Sequence, residues 1–396
     1  MTDLDPFALA DRQIALDHEA TRRLPALLER KRQRLAPSPH AFLRGSAPLY
    51  YEILAARPDL ASGPAGDGWL VGDMHLENVG AYRTDDDAVV FGLNDFDDAT
   101  VGPLRLDVLR LSTSILLASR GLGVSGAAAL SLVERAIGQY LRGRGGAAGP
   151  PTPSCVTELI SHAQNRSKKE LLDDRAPMDH GRRHFVRGER YLELPADLQA
   201  RVPELMRAYV AALGDRAPGR AGGWSIEDQA LRIAGNGSLG VARVAVLVRD
   251  NSGDERLVEL KECRDSSVNA LVPAPAGKWS NEAERVVLAA RALAATPPRL
   301  LAPVVSGGVP YAGRRLFPQE DKLRLERLGA GPELERLVLH VGNLLGAAHA
   351  RGVASLKLPA PEAWSGEEVG KVIDGAVVLA GLLEGVSLAH SRRSGA

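Results

Sequence analysis

The segment Gly235-Asn236-Gly237-Ser238-Leu239-Gly240 has the spacing G-x-G-x-x-G, and the residues after it constrain the fold more than any other feature of the chain. A dinucleotide fingerprint of this spacing opens a helix. Here the run Val241-Ala242-Arg243-Val244-Ala245-Val246-Leu247-Val248 follows, and its alternation and β-branching predict a strand. Asn251-Ser252-Gly253-Asp254 predicts a turn, and Leu257-Val258-Glu259-Leu260-Lys261 predicts a further strand ending in a lysine. Residues 281–293 then place Val286, Val287, Ala290 and Leu293 at helical spacing. The chain is therefore expected to have a β-rich unit, 224–325, with the glycine loop between two strands and Lys261 at the end of a third.

A second polar segment lies far upstream. Val71-Gly72-Asp73-Met74-His75-Leu76-Glu77-Asn78 is followed by the apolar run Ala88-Val89-Val90-Phe91 and then by Leu93-Asn94-Asp95-Phe96-Asp97. Phosphoryl transfer needs an in-line hydroxyl, a carboxylate beside it and a cation to screen phosphate charge. Mg²⁺ prefers oxygen ligands, usually one or two carboxylates plus phosphates. Asp73, Asn78 and Asp95 would supply such a set, Asp73 as the carboxylate and Asn78, Asp95 and Asp97 as candidate metal ligands.

These residues resemble the site of a kinase. Protein kinases carry H-R-D-x-x-x-x-N, and aminoglycoside phosphotransferases and choline kinases carry H-G-D-x-H-x-x-N. Gly72, Asp73, His75 and Asn78 match the second version, with Val71 in place of the leading His. Asn94 to Asp97 resembles the D-F-G segment, with Asp97 where Gly is usual. Gly102, Pro103 and Asp107 resemble G-D-P-x-x-D-L, whose late Asp supports the catalytic loop from a helix. The glycine loop and Lys261 resemble the small lobe. The resemblance implies that Gly235, Asn236, Gly237, Ser238, Gly240 and Lys261 hold ATP, that Asp73 acts on the acceptor, and that a helix Glu fixes Lys261, Glu284 being the first choice and Glu282 the second. Leu316 to Glu320 is the expected hinge. Residues 337–351 are similar to the helix that precedes the catalytic loop. In ordinary kinases the glycine loop comes first, so the implied fold is α+β, two-lobed, protein-kinase-like and circularly permuted. The motifs at 42–45, 94–97, 237–240, 261–262, 284–287 and 348–351 also resemble a bacterial family defined only as a domain of unknown function, over roughly residues 40–352.

The implied activity is ATP- and Mg-dependent phosphorylation of a hydroxyl on a small molecule or protein. A nucleotide-binding pseudokinase, an AMP-transferring enzyme and a scaffold that binds no nucleotide are the alternatives. A metallophosphatase would need further metal motifs that the chain does not carry. Arg44 is read as a phosphate contact or a structural ion pair. The arginines between Arg182 and Arg190 are read as a solvated face or an anion site, and His349 as a packed helix residue. Cys155 and Cys263 indicate a reducing compartment. With 49 Lys plus Arg against 49 Asp plus Glu, no basic field for nucleic acid or a membrane is expected. The N-terminus has no signal-peptide pattern and no stretch reads as a membrane span, so a cytoplasmic protein is expected. The expected organisation is an N-terminal helical segment (1–40), the catalytic-loop part of a helical lobe with an insert (41–223), the β-rich lobe (224–325) and C-terminal helices that complete the helical lobe (326–396).

Overall fold

The computed structural model describes residues 4–218, 223–235, 237, 239–316 and 321–394. It is a mixed α+β protein. The chain starts with α1 (Pro6–Thr21), α2 (Leu28–Leu35), α3 (Pro39–Gly45) and α4 (Ala47–Ala56). The Asp5 carboxylate caps α1 by accepting from the amides of Phe7 and Ala8, with Pro6 at the first helical position. Four short strands follow, β1 (Asp67–Leu70), β2 (Val79–Arg83), β3 (Val89–Leu93) and β4 (Thr100–Pro103). β1 pairs antiparallel with β4, and β2 with β3. The polar segment 71–78 is thus the connection from β1 to β2, and 94–99 the connection from β3 to β4.

Helices α5 (Arg105–Gly121), α6 (Gly126–Arg144), α7 (Ser154–Asn165) and α8 (Lys168–Arg175) come next. The short strands β5 (Met178–Asp179), β6 (Arg182–Arg183) and β7 (Tyr191–Leu192) and the helix α9 (Ala196–Leu213) lead to β8 (Trp224–Arg232), β9 (Arg243–Asp250) and β10 (Glu255–Glu262). Helix α10 (Glu282–Leu293), β11 (Ala302–Ser306), β12 (Val309–Leu316), β13 (Asp321–Lys322), α11 (Pro332–Ser355) and α12 (Gly366–Ser394) complete the chain. The strands and helices expected over 241–261 and 281–293 are β9, β10 and α10. Of the expected hinge, residues 317–320 lie outside the described residues.

The main sheet has the order β11-β12-β10-β9-β8-β7 and is antiparallel throughout. One face packs on α9, with Leu198, Val202, Leu205 and Tyr209 against Val244, Val246, Val258 and Leu260. A second core joins α4, α5, α6, α11 and α12. There α6 and α11 approach closely because glycines line the crossing. A Cβ at Gly342 or Gly346 would collide with the carbonyl oxygens of Ala136 or Tyr140. Within 41–223, α8, β7 and α9 pack with the sheet rather than with the helical core. Sequence alone assigned them by helicity and not by partner.

Helix α12 is long and apolar enough to cross a membrane by length and composition, although Asp374 and Glu384 interrupt its apolar run. Half of its most apolar window is buried, against α1 and α5 among others. That packing is compatible with a core helix of a soluble protein.

Candidate active site

The Asp73 loop is held from beneath. Asp107, fully buried in the first turn of α5, accepts from the amides of Val71 (2.6 Å) and Gly72 (2.9 Å). This is the supporting role expected of the late Asp. Tyr51 donates to the Gly72 carbonyl at 2.5 Å. Gly72 has φ +80°, and a Cβ there would run into the Asp98 carbonyl, so this turn demands glycine. Asp107 is itself bonded by His349 of α11 (2.9 Å), whose other ring nitrogen meets the Tyr140 hydroxyl (3.1 Å). His349 is a packed helix residue, as read from sequence, and it carries α11 to the underside of the loop.

Asp73 is bound by Arg110, whose Nε (2.8 Å) and Nη2 both donate to Oδ1. Arg110 is fully buried, also donates to the Leu43 carbonyl (2.9 Å) and stacks on the Tyr50 ring at 4.5 Å. Burial raises the Asp73 carboxyl to about 6, Arg110 opposes that rise, and the nearby charges of Asp98 and Asp95 add to it. The His75 Nε2 lies 4.0 Å from Asp73 Oδ2.

Asn78 Nδ2 donates to the carbonyls of Asp73 (2.9 Å) and Asp95 (3.3 Å). That leaves Asn78 Oδ1 buried with no hydrogen-bond partner. A buried orphan acceptor is costly, and a cation beside Asp95 and Asp97 would satisfy it. Asn78, Asp95 and Asp97 therefore fit a hard, oxygen-seeking ion that completes its shell with phosphate and water. No cluster of three or more His, Cys, Asp or Glu side chains able to hold a metal occurs among the described residues.

The two distant segments meet here. Lys261 Nζ lies 3.3 Å from Asp95 Oδ1 and pairs with Asp97. Gly235 and Gly237 line one cleft of about 360 Å³ with Asp73, His75, Asn78, Asp95 and Asp97. Asn236 and Ser238 lie outside the described residues. Gly240 packs on the backbone of Ala20, where a Cβ would collide. Arg34 donates to the Gly235 carbonyl, and Lys31 lies 3.5 Å from that of Gly237. Helices α1 and α2 thus close the cleft over the glycine loop.

One expectation needs correction. Glu284 does not fix Lys261. Its carboxylate accepts from the Ser280 amide (2.6 Å) and hydroxyl (2.5 Å) at the start of α10, while Glu282 pairs with Arg285. Among the described residues the ion-pair partners of Lys261 are Asp95 and Asp97. Local capping at the first turn competes for both carboxylates, and the guanidinium of Arg285 takes the path toward 97–99 by donating to the Asp97 and Ala99 carbonyls.

Arg44 pairs with Glu77 at 2.5 Å and lines the cleft, so it is an ion-paired wall residue. The arginines of 182–190 include Arg183, Arg187 and Arg190, which are tied to Glu255, Asp228 and Asp174. Sequence reasoning missed Arg110. Its signal was a cation inside the apolar run 104–119, which only a buried counter-ion tolerates.

No curated protein matches the chain, and no solved structure matches it. A family model described as an uncharacterized protein conserved in bacteria, DUF2252, matches residues 23–144 and 145–378. The two matched stretches cover both the Asp73–Asp97 segment and the glycine-loop segment, so the chain belongs to the bacterial DUF2252 family.

Proposed function

We propose that the protein is an ATP- and Mg-dependent phosphotransferase acting on a hydroxyl, with a two-lobed, kinase-like fold in permuted order. The observation that carries this reading is the approach of Lys261 to Asp95, 166 positions apart in the chain and 3.3 Å apart in space, beside the Asp73 cleft. Strand, glycine loop, strand, turn, lysine strand and helix follow one another in β8 to α10 as the small-lobe resemblance implies. In this reading the Asp73 carboxylate, oriented by Arg110, receives the acceptor proton. Asn78, Asp95 and Asp97 hold Mg²⁺, which when bound screens the charge that develops on the phosphates. Lys261, now paired with Asp95 and Asp97, would be free to donate to phosphate oxygens were those carboxylates to hold a cation.

The test is turnover of Mg-ATP by wild type and Asp95→Ala. The reading expects ADP release that requires Mg²⁺ and is lost in the variant. Release of pyrophosphate instead would identify AMP transfer, and nucleotide binding without turnover would identify a pseudokinase. Binding of neither Mg²⁺ nor ATP would end the reading.

A further inference from the structure

The sheet face that carries Lys261 is laddered in three rows. Lys261 sits opposite Arg243 and Ala312. Glu259 sits between Ala245 and Arg314, with Ala230 beyond. Leu257 sits between Leu247 and Leu316. A nucleotide with its phosphates at Lys261 and its base on this face needs the second and third rows, about 7 and 13 Å along the strand.

Both rows are already filled. Glu259 is completely buried, and Arg232, Arg243 (3.6 Å) and Arg314 (3.1 Å) converge on it. The leucine row is buried against Leu172, Ala176, Phe185 and Tyr191. These four residues belong to 168–192, which is fastened to the sheet at several points. Lys168 pairs with Asp254, Arg183 with Glu255 at 3.0 Å and Arg187 with Asp228 at 2.9 Å, while Tyr191 and Leu192 pair with β8. The cleft beside Asp73 is lined by Gln13, Leu16 and Lys31, and neither Glu259 nor Leu257 is among its lining residues.

We infer that the site recognises its donor by the phosphate chain and is indifferent to the base, because the Glu259–arginine cluster and then 168–192 occupy the shelf on which a base would pack. The ligand class is a Mg-bound triphosphate, nucleoside or inorganic. This inference rests on the phosphotransferase reading and refines its donor.

The experiment is calorimetry of the full chain with Mg²⁺ and, in turn, ATP, GTP and inorganic tripolyphosphate. The three dissociation constants are expected to agree within about 3-fold, whereas a base packed on an apolar shelf contributes about 10-fold or more. ATP binding about 10-fold tighter than tripolyphosphate would overturn the inference and leave the phosphotransferase reading standing. Binding of none of the three would overturn both. A second arm uses Phe185→Ala with Arg187→Ala, and Arg187→Gln alone should that pair not fold. Loosening the segment is expected to raise ATP affinity relative to tripolyphosphate by about 5-fold. An unchanged ratio in a folded variant would show that 168–192 does not set base selectivity.

Discussion

Arg110 places two donors on a single oxygen of Asp73, so Oδ2 is left toward the cleft and His75 while Oδ1 is committed to the core. A fully buried guanidinium is costly without a counter-ion, and Asp73 is its ion-pair partner. The pair fixes the direction of the candidate catalytic carboxylate and opposes the rise that burial imposes on it.

That relationship sets a pH dependence. The folded carboxyl sits at about 6, above its ordinary value, so it ionises as pH rises through about 6. The proposed role needs the ionised form, and kcat/KM is expected to climb between about pH 5 and pH 7. Arg110→Met removes the group that favours ionisation, so the acidic limb should move to higher pH. A limb unmoved in a folded Arg110→Met protein would show that Asp73 is not the titrating group.

Asp73→Asn keeps shape and removes charge. Mg-ATP binding is expected to persist while transfer falls by about 10²–10⁴-fold, the usual loss for a positioned base. Turnover within a few-fold of wild type would remove Asp73 from the chemistry.

Asp107→Ala tests the support beneath the loop. It strands the amides of Val71 and Gly72 and one nitrogen of His349 inside the core. At about 1–3 kcal/mol for each unsatisfied buried group, chemical denaturation should show a loss of several kcal/mol. A midpoint shift worth less than about 1 kcal/mol would mean that water or a neighbour replaces the carboxylate.

Much of this arrangement was legible in the chain. Alternation over 241–248 and the terminal position of Lys261 gave β9 and β10, because a period of two has no other use in so short a run. The support of the 71–78 loop by Asp107 came from a resemblance rather than from spacing, and the contact itself is one that reaches back from the next helix. The partners of Glu284 and Arg110 were not legible. Each depends on which of several groups within reach wins, and that is decided by packing across elements far apart in sequence. The covering of Leu247, Leu257 and Leu316 by 168–192 was hidden for the same reason, since an apolar row predicts burial without naming what buries it.

The correction at Glu284 gives the sharpest contrast between two residues that sequence alone had coupled. If Lys261 works through Asp95 and Asp97, then Glu284 has no part in holding phosphate, and its carboxylate serves the first turn of α10 through Ser280. Lys261→Met should then lower ATP turnover by about 10²-fold or more, as expected for loss of a preorganised charge on the transferring phosphates. Glu284→Gln keeps a side chain able to accept from Ser280 and should stay within about 3-fold of wild type, a difference of less than 1 kcal/mol in transition-state stabilisation. The comparison is informative because both variants alter the same lobe. Equal losses would mean that α10 swings during turnover to bring Glu284 onto Lys261, and that the Lys261–Asp97 pair belongs to a resting form of the site. Unequal losses would fix Lys261 as a residue bridged to the Asp95–Asp97 segment rather than to the helix.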